Sequence, residues 1–310
     1  MRVGAEATGV SDPNASWRLV EGDEIAPGRH AIRFLGGGRR YEAYLAWDDD
    51  LHSLVAVKVV RPDRVGHAGT LQGLAGEARA LDALRHPSLV RAFDAVLEGE
   101  RPHLVLEFLE GPRLSTFIRR EAVALEQVLA LALQLAGVLH YVGRRGWVHL
   151  DVKPRNVIMA GPPRLIDLSV ARTVASARHD PGPIGTAAYM APEQCDPDGA
   201  AEIGPPADVW GLGATVYELV AGRRAFADPR PDLGPLAERY PQVAEDPAPL
   251  PPRTPMALAA VIGACLERRP ADRPTAAQVA AQLEPIVAAL PRPRLGLMRP
   301  GTRRHLSRLE

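Results

Sequence analysis

The sequence predicts an α+β fold in two lobes, a small β-rich one followed by a larger α-helical one. Two features predict it. From Trp17 to about Val105 the apolar residues run mostly in strand-like stretches with one helical interruption. Past Gly111 they recur at helical three- and four-residue spacing. A chain of 310 residues can house both lobes, and 46% hydrophobic with 24% charged residues suits a folded chain rather than a disordered one.

Residues 1–16 read as a flexible leader. The first lobe then runs over about 17–105, the second over about 111–290, and 291–310 form a basic tail. Val55 to Val60 is a strand, and Leu71 to Leu84 is the helix that interrupts the first lobe. In the second lobe the expected helices are Leu114–Arg120, Leu125–Val142, Ala207–Ala221, Pro255–Leu266 and Thr275–Leu290. Thr275, following Pro274, caps the last of them. Asp228 to Pro255 is proline-rich and reads as extended or turn-like.

Composition excludes several classes. Net charge is zero, so no overall field draws the chain to nucleic acid, and no such partner is expected. Cys195 and Cys265 form no Cys-x-x-Cys or Cys/His cluster, which argues for a reducing compartment and against a structural zinc. The N-terminus lacks the apolar stretch of a secretory signal. The most apolar window, Val123 to Val142, is broken by Glu126, Gln127, Gln134 and His140, and so reads as a buried helix rather than a membrane span. The expectation is a cytoplasmic protein without a transmembrane segment. The tail carries Arg292, Arg294, Arg299, Arg303, Arg304 and Arg308, and is either solvated or the contact for an acidic partner.

Of 37 lysines and arginines only two are lysines, Lys58 and Lys153. Where lysine persists in a chain that otherwise uses arginine, a compact ammonium is needed rather than a planar guanidinium. Lys58 closes Val55-Ala56-Val57-Lys58, and Lys153 lies in His149-Leu150-Asp151-Val152-Lys153-Pro154-Arg155-Asn156. Ahead of both stands Leu35-Gly36-Gly37-Gly38-Arg39-Arg40-Tyr41-Glu42-Ala43-Tyr44. Leu35, Gly36, Gly37, Gly38 and Ala43 are candidate nucleotide contacts there, since glycine lets backbone amides approach phosphate oxygens. Taken alone, that run equally suits a plain turn between strands. Glu77, on the interrupting helix and ahead of His86-Pro87, is the candidate partner for Lys58; its alternative is a solvated helix carboxylate. Asp151 is placed to take an acceptor hydroxyl's proton and Lys153 to neutralise a transferring phosphate. Asn156 and Asp167, the latter closing the apolar strand Leu165-Ile166-Asp167, are candidate Mg²⁺ ligands.

Together with Gly185 to Glu193, Asp208-Val209-Trp210-Gly211 and Arg273-Pro274-Thr275, these runs resemble the eukaryotic-like serine/threonine protein kinases of bacteria over about residues 29–290. The resemblance implies a five-stranded antiparallel sheet with one regulatory helix, a helical second lobe, and ATP with Mg²⁺ between them. It also implies a hinge at Glu107-Phe108-Leu109 behind a gatekeeper Leu106, with Ala56 and Ile158 sandwiching adenine. A buried Glu193–Arg273 pair and a protein substrate with a Ser/Thr acceptor complete the implication.

The chain departs from the family pattern at three points. Tyr41 replaces the third loop glycine and should stiffen the phosphate lid. Leu168-Ser169 replaces Phe-Gly after the metal-binding Asp. Leu150 replaces the Arg before the catalytic Asp, which removes the usual reader of a phosphorylated activation loop. These departures keep open a pseudokinase acting as a nucleotide-binding scaffold. A kinase of small molecules is the third alternative, against which the Ala-Pro-Glu and Asp-x-Trp groups argue.

Overall fold

A computed structural model describes residues 15–120, 123–178, 183–196, 199, 201–230 and 234–290. Most of the predicted leader, and the whole basic tail with its acidic-partner expectation, lie outside the described residues.

The first lobe is one antiparallel sheet of strands β1 (Glu24–Ala26), β2 (Arg29–Gly37), β3 (Tyr41–Asp48), β4 (Ser53–Val60), β5 (Ala92–Val96) and β6 (His103–Glu107), in the order β1-β2-β3-β4-β6-β5. The expected five strands are therefore six. The extra one, β1, forms because the chain doubles back at Pro27-Gly28, where Gly28 takes a left-handed φ of 71°; at the far end of the pair the Gly22 N–H donates to Ala31 while Ala31 donates to Asp23. Ala15 and Ser16, the two described residues of the predicted leader, make hydrogen bonds: Arg61 donates to the Ala15 carbonyl at 2.8 Å, and Ser16 accepts from Arg18. Trp17 then crosses the sheet's outer face, its indole N–H on the Val60 carbonyl at 2.8 Å.

Strand alternation sorts β4. Val55, Val57 and Val59 pack with Ile25, Tyr44 and Val105 on the outer face, leaving Ala56 and Lys58 on the opposite one. Helix α1 (Ala68–Ala83) covers that inner side with Leu74, Ala80 and Leu81. It starts three residues before the predicted Leu71, because the His67 ring accepts the Thr70 N–H and caps it.

The second lobe holds α2 (Leu114–Arg120), α3 (Leu125–Arg144), α4 (Val174–Ala177), α5 (Pro192–Cys195), α6 (Pro205–Ala221), α7 (Leu236–Arg239), α8 (Met256–Cys265) and α9 (Ala276–Ala288). The predicted helices are all present with ends shifted by a residue or two, and Thr275 caps α9 with a reciprocal Gln278 bond. α3 is apolar and long enough to cross a membrane by length and composition, but half of it is buried, packed against α6 and α9. Two small ladders complete the lobe: β7 (Trp147–Val148) with β10 (Arg172–Thr173), and β8 (Val157–Met159) with β9 (Pro163–Leu165). The predicted strand Leu165–Asp167 ends early, because Asp167 takes a left-handed φ of 66° that no strand tolerates.

Candidate active site

Lys58 sits where the two lobes meet. Its ammonium lies 2.7 and 2.9 Å from the Glu77 carboxylate oxygens and 2.9 Å from Asp167. Burial alone would lower the Lys58 pKa, but the charges of Glu77 and Asp167 overcome it and hold the ammonium protonated. Burial disfavours the charged carboxylate at Asp167 too, yet Lys58 and a hydrogen bond from Ser169 keep that group far below the usual range. Burial raises Glu77 despite the ammonium beside it, and the Leu168 N–H supplies one more donor. Glu77 is thus not a solvated helix carboxylate; it is 1% exposed.

The segment from His149 to Asn156 links β7 to β8 and folds around Asp151. Oδ2 of Asp151 accepts from Lys153 at 2.5 Å and from the Asn156 amide at 2.9 Å. Oδ1 is buried and has no hydrogen-bond partner among the described residues. Lys153 donates as well to the Thr186 hydroxyl. The side-chain hydrogen bonds of Asn156 among the described residues both run through Nδ2, to the Asp151 side chain and main-chain carbonyl, so its Oδ1 could hold a cation.

β2 and β3 pair through Gly36–Ala43 and Gly37–Glu42, with Gly38, Arg39 and Arg40 at the turn. A Cβ at Gly36 or Gly38 would meet nothing within 4 Å, so the turn keeps open backbone on its exposed side. Ala43 pairs with Lys58, and Ala56 pairs with Leu106 of β6. Leu35 lies on the same strand as the glycines. Glu107 ends β6 rather than opening a linker, and its carboxylate is held by Arg164 at 3.2 Å. The Leu109 N–H has no partner among the described residues. Ile158, on β8, bridges to Arg113.

Residues 29–283 match the protein kinase domain. The chain belongs to the protein kinase domain family. It is 31% identical over 263 residues to the serine/threonine-protein kinase PknB of Mycobacterium leprae, a match covering 80% of this chain and 41% of that protein. It is 33% identical over 210 residues to the serine/threonine-protein kinase pkn2 of Myxococcus xanthus, covering 64% of this chain and 25% of that one. The serine/threonine-protein kinase PknA of Mycobacterium tuberculosis is 31% identical over 257 residues, covering 79% and 58%. The chain therefore spans less than two thirds of the length of these curated relatives. These bacterial Ser/Thr kinases are the group that the motifs resembled.

In this kinase domain the residues that shape the catalytic loop were visible in the sequence only as scaffold. Asp208, at the start of α6 and 4% exposed, accepts the His149 and Leu150 N–H groups, both at 2.7 Å. The His149 ring accepts the Asp151 N–H and donates to the Ile166 carbonyl, joining the loop to the Asp167 segment. Leu150 is held at a left-handed φ of 64°, a strain of about 1–2 kcal/mol for a side-chain-bearing residue. Its carbonyl accepts from Gln194 at 3.0 Å and would lie 2.6 Å from a Cβ at Gly185, so only glycine fits there. Arg273 meets Glu193 at 2.7 and 2.8 Å, the predicted buried pair. The Asp208-x-Trp spacing was the available signal for the anchor, but spacing does not say which backbone groups a carboxylate receives.

Asp208→Ala should leave two buried N–H groups unpaired. At about 1–3 kcal/mol each, the variant should lose roughly 3 kcal/mol of unfolding free energy in urea titration and most of its activity. A wild-type midpoint would show that the loop holds itself.

Proposed function

We propose that this chain is an ATP- and Mg²⁺-dependent serine/threonine protein kinase that transfers the γ-phosphate to a protein hydroxyl. One observation carries the reading furthest: the unpaired, buried Oδ1 of Asp151, beside an Oδ2 already saturated by Lys153 and Asn156. A carboxylate oxygen left without a donor among the described residues stands ready for the proton of an acceptor hydroxyl. Lys153 is positioned to balance charge on the phosphate, and its contact with Thr186 ties that charge to the loop where a peptide acceptor docks.

The oxygen set at Asn156 and Asp167 fits Mg²⁺, which favours hard oxygen donors and retains waters. When bound, Mg²⁺ supplies charge neutralisation at the nucleotide phosphates. Lys58, oriented by Glu77, holds the same phosphates from the sheet side, while the glycine turn offers amides above them. Ala56, Leu35 and Ile158 offer an apolar slot for adenine, with the Leu109 N–H and the Glu107 carbonyl at its edge. The reaction consumes cytoplasmic ATP, so the domain works in the cytoplasm.

Asp151→Asn should abolish transfer of labelled phosphate to generic protein substrates, by at least a hundredfold, and leave nucleotide binding and melting temperature close to wild type. Full activity in that variant would sink the assignment. A wild type that binds ATP·Mg²⁺ and phosphorylates no protein would favour the scaffold reading.

Lys58→Arg should cost on the order of a hundredfold in rate, although arginine serves almost everywhere else in the chain. The guanidinium is too broad for the point that Glu77 and Asp167 share. Near-normal turnover would refute the argument from retained lysine.

Activity should depend little on activation-loop phosphorylation. Leu150 offers no charge to a loop phosphate and is 3% exposed within the core. Gln194 already fastens the segment through the Leu150 and Ile184 carbonyls. Thr173, one of the two hydroxyls best placed for modification, caps α4 by accepting the Ser176 N–H. The comparison is phosphatase-treated enzyme, and a Thr173→Ala, Ser176→Ala double variant, against untreated wild type. A tenfold fall, about 1.4 kcal/mol of barrier, would show that another cation reads the phosphate.

A further inference from the structure

Resting on the kinase reading, we propose that Tyr41 is a positioning residue: it latches the glycine hairpin to helix α1 and so holds Glu77 against Lys58. Tyr41 opens β3, directly after the turn, at the position where the family pattern has a glycine. Its side chain does not lie over the turn. It crosses to α1, where its hydroxyl donates to the Thr70 carbonyl at 2.8 Å. On the way its ring lies against the Lys58 ammonium, 4.8 Å from ring centroid to Nζ. Burial raises the phenol's pKa, so the hydroxyl remains a donor throughout the physiological range.

The helix is shaped to receive it. A Cβ at Gly73 would stand 2.9 Å from the Tyr41 hydroxyl oxygen, closer than real Cβ contacts allow. A mid-helix glycine costs about 1 kcal/mol relative to alanine, and here its missing side chain makes the seat for the hydroxyl. Thr70, Gly73 and Glu77 follow one another at three- and four-residue steps and share one face of α1. That face is attached at two points about two turns apart, by Tyr41 near the N-terminus and by Lys58 at Glu77. One attachment alone leaves a helix free to pivot; two fix its rotation. Both attachments come from neighbouring strands of the same sheet, and the Tyr41 ring touches the ammonium itself. Movement of the hairpin is thereby coupled to the geometry of the ion pair.

The test is a double-mutant cycle on the full chain with Tyr41→Phe, Gly73→Ala, the double variant, and Gly76→Ala as control. Gly76 lies on the same helix, and a Cβ there meets nothing nearer than Arg79 at 3.8 Å. Each variant is read by kcat and KM for ATP, by amide hydrogen exchange over α1, and by melting temperature. Tyr41→Phe should lower kcat by about fivefold, the equivalent of one ordinary hydrogen bond, and speed exchange in α1 by a similar factor. Gly73→Ala should do the same although it raises helix propensity, whereas Gly76→Ala should do neither. The double variant should match Tyr41→Phe alone, since no hydroxyl remains for the new methyl to displace. Wild-type rate and exchange in Tyr41→Phe would overturn the proposal, as would full additivity in the double variant. If the wild type transfers no phosphate, the kinase reading fails, and the exchange measurements still decide the latch.

Discussion

The ammonium of Lys58 is the point on which the two lobes agree. It is a buried charge, and a buried charge without partners costs several kcal/mol. Its partners come from distant parts of the chain: Glu77 from the helix of the first lobe, Asp167 from the loop after β9 in the second. Strand alternation in β4 turns Lys58 inward while its valine neighbours build the outer core. Asp167 reaches it only through a left-handed backbone, a local strain that the ion pair and the Ser169 bond offset. Shifting α1, β4 or the Asp167 loop separately would strand one of these charges. The relative placement of sheet, helix and second lobe therefore follows from electrostatics at one atom.

The catalytic loop is held by a different device. Asp208 receives two consecutive backbone N–H groups, and the His149 ring bridges to Ile166, so the loop is fixed through its main chain. This arrangement leaves Asp151 free to keep one oxygen unpaired. A side chain that also had to anchor its own loop could not. The Glu193–Arg273 pair, stacked beside Trp210, repeats the logic one layer lower by holding the segment that carries Gln194.

Much of this was legible in the sequence because the proposed phosphate chemistry demands particular groups at particular spacings. Lys58, Asp151, Lys153, Asn156 and Asp167 were readable for that reason, and the retention of lysine in an arginine-rich chain strengthened two of them. Helices of the second lobe were readable from apolar periodicity. What could not be read were features decided by backbone geometry or by side-chain direction. β1 exists through a tight reversal at Pro27-Gly28 that leaves no periodic signal. The early end of β9 reflects a single φ value at Asp167. Asp208 announced a motif but not its acceptor role. Tyr41 was visible as a missing glycine, and that substitution suggested a stiffer lid; the direction of its side chain, toward Thr70, emerges only when β3 and α1 are packed together.

The three departures from the family pattern act in one direction. Leu150 removes a surface charge that would await a loop phosphate and places an apolar side chain in the core instead. Ser169, where glycine would allow the loop to swing, donates to Asp167 and holds the carboxylate beside Lys58. Tyr41, where glycine would loosen the lid, reaches the helix that carries Glu77. Each exchanges a mobile or charge-triggered element for a packed or hydrogen-bonded one. With both carboxylates already on the ammonium, no loop cation is needed to assemble the site. On the proposed kinase reading, a site assembled this way leaves little for loop phosphorylation to switch on.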